Sequence, residues 1–110
     1  MIHRVLAHCT VTDLDRAEQW YTVVFERAPD ARPMPGLLEW HLGDTAGVQI
    51  WSEPARAGRS SVVLGETDLR AAAARTAAAG VEHEGPQPGG GARILQLTDP
   101  DGNRVVLIGP

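Results

Sequence analysis

The chain has 110 residues, a net charge of −4, ten arginines, no lysine and a single cysteine. That length suits one domain with a core that needs no staples, and the lone Cys9 excludes an internal disulfide. The arginines are scattered and form no phosphate-tracking stripe, no apolar run is long enough to span a membrane, and residues 1–5 lead straight into a strand pattern without a secretory signal. A cytoplasmic protein with no nucleic-acid and no membrane partner is expected.

In chain order, Val5 to Val11 is the first strand, with Leu6, His8 and Thr10 on one face and Val5, Ala7, Cys9 and Val11 on the other. Thr12-Asp13 caps a helix over residues 13–26, whose Leu14, Ala17, Trp20/Tyr21 and Val24/Phe25 recur at helical spacing. Prolines 29, 33 and 35 leave room only for a short edge strand around Ala31. Leu37 to Leu42 and Val48 to Trp51 are strands joined by a Gly43–Gly47 turn. Residues 52–60 form a polar linker.

The plan then restarts. Ser61 to Gly65 is a strand, Thr67-Asp68-Leu69 a cap, and Ala71 to Ala79 an alanine-rich helix ended by Gly80. Val81 to Gly85 is expected as a short strand and Pro86 to Gly91 as a flexible loop. The closing hairpin pairs Ala92–Thr98 with Val105–Ile108 across Asp99-Pro100-Asp101-Gly102-Asn103, a turn whose residue types suit its corners. Thr12-Asp13-Leu14 recurs as Thr67-Asp68-Leu69 after 55 positions, and the last strands of the halves, Val48–Trp51 and Val105–Ile108, lie 57 apart. The fold class is α+β: one domain over 1–110 made of two βαβββ modules, 1–56 and 57–110, in a pseudo-two-fold arrangement.

This order of elements, from the first strand and its Asp-Leu-Asp to the Asp-Pro-Asp-Gly-Asn hairpin, resembles the vicinal oxygen chelate superfamily of glyoxalase I, bleomycin-resistance proteins and extradiol dioxygenases. The resemblance implies a curved mixed sheet around a concave cavity, and a homodimer. In the family's metal enzymes four side chains hold the ion, two from the first and two from the last strands of the modules. Carried onto this chain, those positions are Leu6, Ser61, Gln49 and Val106. Leu6 and Val106 cannot bind a metal, Ser61 is a poor ligand, and Gln49 offers a neutral amide oxygen, so no metal and no other cofactor is expected.

The remaining candidates follow from alternation. His8 shares the face of Leu6 and is a polar handle or general base, or a strand histidine with no role. Gln49 and Trp51 share a face, which the repeat makes the cavity face, and with Ser61 they suit a planar or partly apolar ligand. Trp40 either joins that pocket or packs under a helix; Arg93 either reaches the pocket mouth to meet an anion or is a solvated strand residue. His8, His41 and a glutamate such as Glu39 form an alternative ligand set, whereas His83 is expected in solvent. Cys9 faces away from His8, and Gly89-Gly90-Gly91 neither follows a buried strand nor opens a helix, which excludes a Cys–His pair on that strand and a phosphate loop. Three functions compete. The first is a metal-free binder of a small aromatic or amphiphilic molecule, such as a drug or a metabolite. The second is a metal-free enzyme using His8, and the third a lyase, isomerase or dioxygenase with relocated metal ligands.

Overall fold

The structure, a computed structural model, describes residues 1–110. Its elements are β1 (Val5–Val11), α1 (Leu14–Phe25), β2 (Ala31–Met34), β3 (Leu37–Gly43), β4 (Ala46–Ser52), β5 (Ser61–Gly65), α2 (Leu69–Ala78), β6 (Gln87–Gly89), β7 (Ala92–Thr98) and β8 (Arg104–Gly109). Each helix opens on the aspartate expected to cap it. Asp13 accepts from the Arg16 amide at 3.1 Å and Asp68 from the Ala71 amide at 3.0 Å. Helix α1 buries Ala17, Tyr21 and Val24 along one stripe, and α2 buries Leu69, Ala72, Ala73 and Thr76.

The strands form two mixed four-stranded sheets, ordered β1-β4-β3-β2 and β5-β8-β7-β6. In each, the first strand of a βαβββ module pairs in parallel with its last, a connection made possible by the crossover helix. Both helices pack on the same side, over one core that runs through both sheets from Cys9 and Trp40 to Leu95 and Leu107. Strands β1 and β5 lie side by side, so the two helix-free faces are continuous.

The tail turn ties the modules together. The buried Asp99 carboxylate accepts from Tyr21 Oη of α1 (2.7 Å), from Asn103 Nδ2 and backbone N (both 2.8 Å) and from the Asp101 amide (3.0 Å). Asn103, fully buried, donates to the Thr10 carbonyl of β1 and accepts from the Ser60 amide, each at 2.8 Å. Asp101 accepts from Thr12 Oγ1 at 2.6 Å. Gly58 lies so close to this turn, at φ +84°, that an added Cβ would meet the Asp101 carbonyl at 2.3 Å. Turn chemistry alone explains Asp99 and Asp101 locally; the tertiary structure adds their bonds to module one.

Three sequence expectations need correction. Residues 81–86 form no strand, because His83 turns back onto α2 and Gly85 sits at φ +78°. The strand instead falls inside the expected loop, as β6, and Gly90-Gly91 is the two-residue turn of the β6–β7 hairpin. Both glycines have positive φ, +60° and +79°, which is the conformation such a turn demands. His83 is not solvated: it is half-buried, with Nε2 3.0 Å from the Ala73 carbonyl and Nδ1 accepting from the Gly85 amide at 3.0 Å.

Candidate functional site: the helix-free face

Strand alternation sorts the side chains. On the first sheet Cys9, Leu38, Trp40, Val48 and Ile50 point to the helices, which leaves Leu6, His8, Glu39, His41, Gln49 and Trp51 on the helix-free face. On the second sheet Val62, Leu95, Leu97, Val105 and Leu107 enter the core, and Ser61, Val63, Ile94, Gln96, Val106 and Ile108 share the helix-free face. The first half of this face is therefore mostly polar, with Leu6 and one indole, and the second is mostly aliphatic. Val63, 64 % exposed, stands on the strand beside β1.

The polar half is a connected network. His8 and Gln49 are register partners on β1 and β4, and Gln49 and Glu39 on β4 and β3, so three side chains stand in a row across the strands. Gln49 Nε2 donates to Glu39 Oε1 at 2.8 Å, and His8 Nδ1 lies 3.4 Å from Gln49 Oε1. His41 Nε2 is 2.7 Å from Glu39 Oε2, and an Arg4 guanidinium nitrogen is 3.5 Å from the same oxygen. Glu39 is only 7 % exposed, and the Gln49 amide and the His41 imidazole, followed by Arg4, hold its carboxyl below the ordinary carboxylate value against the opposing effect of burial. It is a carboxylate at neutral pH, compensated by its neighbours. The half-buried Trp51 lies over Gly36, where an added Cβ would sit 3.3 Å from the ring.

In the single chain this face is open, and two shallow concavities lie at its edges. One of about 320 Å³ is wholly polar, lined by Glu82, His83, Glu84, Gln87, Gln96 and Thr98. Another, of about 510 Å³, lies along Arg32–Leu38 with Leu14 as its floor.

No protein-family model and no curated protein matches the chain. Solved structures do. A glyoxalase/bleomycin resistance protein from Catenulispora acidiphila is 25% identical over 97% of this chain and 97% of its own, with a TM-score of 0.87. TnmS3, described as an antibiotic-binding protein from Streptomyces sp. CB03234, is 25% identical over 100% of this chain and 97% of its own, with a TM-score of 0.83. Lactoylglutathione lyase from Agrobacterium tumefaciens, 18% identical over 96% and 91%, has a TM-score of 0.77. The chain has the vicinal oxygen chelate fold.

The four residues that the resemblance carries onto metal-ligand positions all fall on the helix-free face: Leu6 and Gln49 on the first sheet, Ser61 and Val106 on the second. Two hydrocarbons, a hydroxyl and an amide do not fit a divalent ion. The relocated set does not assemble either. Glu39 and His41 touch, but Gln49 stands between them and His8, and no three His, Cys, Asp or Glu side chains converge. Of the sequence-predicted residues, His8, Gln49, Trp51 and Ser61 lie on the helix-free face. Trp40 does not. Its ring is fully buried against Tyr21 and Phe25, and Nε1 donates to the Arg27 carbonyl at 2.8 Å. Nor does Arg93, whose exposed side chain shares the helix-side face of Leu95 and Leu97. Glu39 and Arg4 complete the network. The alternation of Glu39 with Trp40 was the available signal for Glu39, but it needed the helix side of β3 to be known first.

Proposed function

We propose that this protein binds a small aromatic or amphiphilic organic molecule on its helix-free face, as a metal-free sequestering protein. The carrying observation is the Glu39–Gln49–His8 row beside Trp51, set against the aliphatic Val63, Val106 and Ile108. Such a surface offers an apolar body contact and a few placed polar groups, the usual composition of an organic-ligand site. Further support comes from its likeness to an antibiotic-binding protein. The carboxylate of Glu39 is already met by Arg4 and His41, so a neutral ligand suits the face better than a polycation. The reading includes the homodimer that the fold family implies, with a second copy covering the open face; sedimentation equilibrium checks that part.

The test is a titration with bleomycin and a library of planar aromatic natural products, read by tryptophan fluorescence in the wild type and in Trp51→Phe. Saturable quenching in the wild type that is lost in the variant is expected. Quenching that survives unchanged in Trp51→Phe would place the ligand elsewhere. A second reading, metal-free acid–base catalysis by His8, draws on the Gln49 contact that orients the imidazole. Under it His8→Ala abolishes turnover and leaves binding largely intact, whereas equal loss of both removes the catalytic role.

A further inference from the structure

The row across β3, β4 and β1 has a direction. Glu39 is ionised, so both of its oxygens accept and neither donates. The group of Gln49 that faces it at 2.8 Å must therefore be the amide NH2. This orients the other end of the amide, Oε1, toward His8. A carbonyl oxygen only accepts, so the imidazole nitrogen facing it, Nδ1, carries the hydrogen when the ring is neutral. Nε2 is then unprotonated, and it has no partner in the chain; its ring lies on the exposed face beside the strand that carries Val63.

We propose that Gln49 is a positioning residue that locks His8 as its Nδ1–H tautomer, so that a bare Nε2 selects ligands whose polar end donates a hydrogen bond, as a phenol, an alcohol or an amide N–H does. The selection rests on the small-molecule reading given above; the tautomer does not. An anionic end has no hydrogen to offer and meets a nitrogen lone pair at His8. An ether or ester end leaves Nε2 without a partner. Phenolic and hydroxylated aromatic molecules are therefore the ligand class, with the ring over the aliphatic half of the face and the hydroxyl on His8.

The experiment uses the full chain labelled with ¹⁵N-histidine at about pH 8.5, where a typical imidazole is neutral. Long-range ¹H–¹⁵N spectra distinguish the two tautomers directly. The wild type is expected to show His8 with a protonated Nδ1, and Gln49→Leu to revert toward the Nε2–H form that free histidine favours. Three para-substituted toluenes of similar size follow, monitored at the His8 nitrogens: p-cresol, its methyl ether 4-methylanisole, and p-toluate. Binding of p-cresol should exceed that of the ether by roughly fivefold, the net value of one hydrogen bond, and p-toluate should bind weakest. An Nε2–H tautomer in the wild type overturns the positioning role, even if Gln49→Leu fails to fold. Equal binding of p-cresol and the ether overturns the selection. A correct tautomer with no binding of any probe overturns the selection and leaves the hydrogen-bond row as a structural feature, while the fluorescence titration decides the small-molecule reading separately.

Discussion

Asn103→Ala tests whether the closing turn holds the two modules together. The side chain is fully buried and makes three hydrogen bonds, to the Thr10 carbonyl, the Ser60 amide and the Asp99 carboxylate, each at 2.8 Å. Their losses differ. The Ser60 amide has no second acceptor, so it bears most of a desolvation cost of about 2 kcal/mol. The Thr10 carbonyl keeps the Gly58 amide at 3.2 Å, and Asp99 keeps Tyr21 and two backbone donors, so each of those losses is nearer the net value of about 0.5–1 kcal/mol. The expected destabilisation is about 3 kcal/mol, which for a chain of this size lowers Tm by roughly 12 °C. Urea unfolding followed by circular dichroism measures it, with the slope m checked for constancy so that a two-state comparison holds. A loss below about 1 kcal/mol at unchanged m would falsify the view that this turn is an inter-module tie, since a surface turn residue costs no more than that.

Two further predictions follow from buried groups. Burial pushes the Cys9 thiol up to about 11, partly offset by its contact with the Tyr21 hydroxyl, and the residue is fully inaccessible. Its labelling by a disulfide reagent at about pH 8 should therefore track global unfolding as urea is added; immediate stoichiometric labelling of the native protein would contradict that burial. The Glu39 carboxyl lies below its ordinary 4.5 in the folded state, so its interactions stabilise the protein above that value and are lost as pH falls through the depressed folded value. On acidification below 4.5 the wild type should lose more stability than Glu39→Gln, and parallel losses in urea midpoints would show that the carboxylate is not what titrates.

Most of the architecture was legible because it rests on local patterns. Asp13 and Asp68 are caps at the start of apolar-periodic runs, and the first strand, the last hairpin and the repeat between modules follow from period and turn chemistry. The β6 strand was misplaced for a local reason too. Gly90-Gly91 supplies the positive φ of a two-residue hairpin, but a glycine-rich run without flanking apolar residues also reads as a loop, and only pairing with Ile94 and Arg93 makes it a strand.

Alternation alone determined that Gln49 shares a face with Trp51 and that His8 lies opposite Cys9. It could not say which face of a strand meets a helix, because a period of two is the same viewed from either side. That choice was made by packing: Tyr21 and Phe25 took Trp40 into the core, which put Glu39 and His41 on the open face and completed the row to His8. Likewise the sequence specified a stiff turn at Asp99–Asn103, but only the tertiary structure could direct its side chains, since Tyr21 and Thr10 are 78 and 93 residues away from the groups they bind. Short-range physics is written in neighbouring residues; contacts at that separation exist only once the two modules have docked.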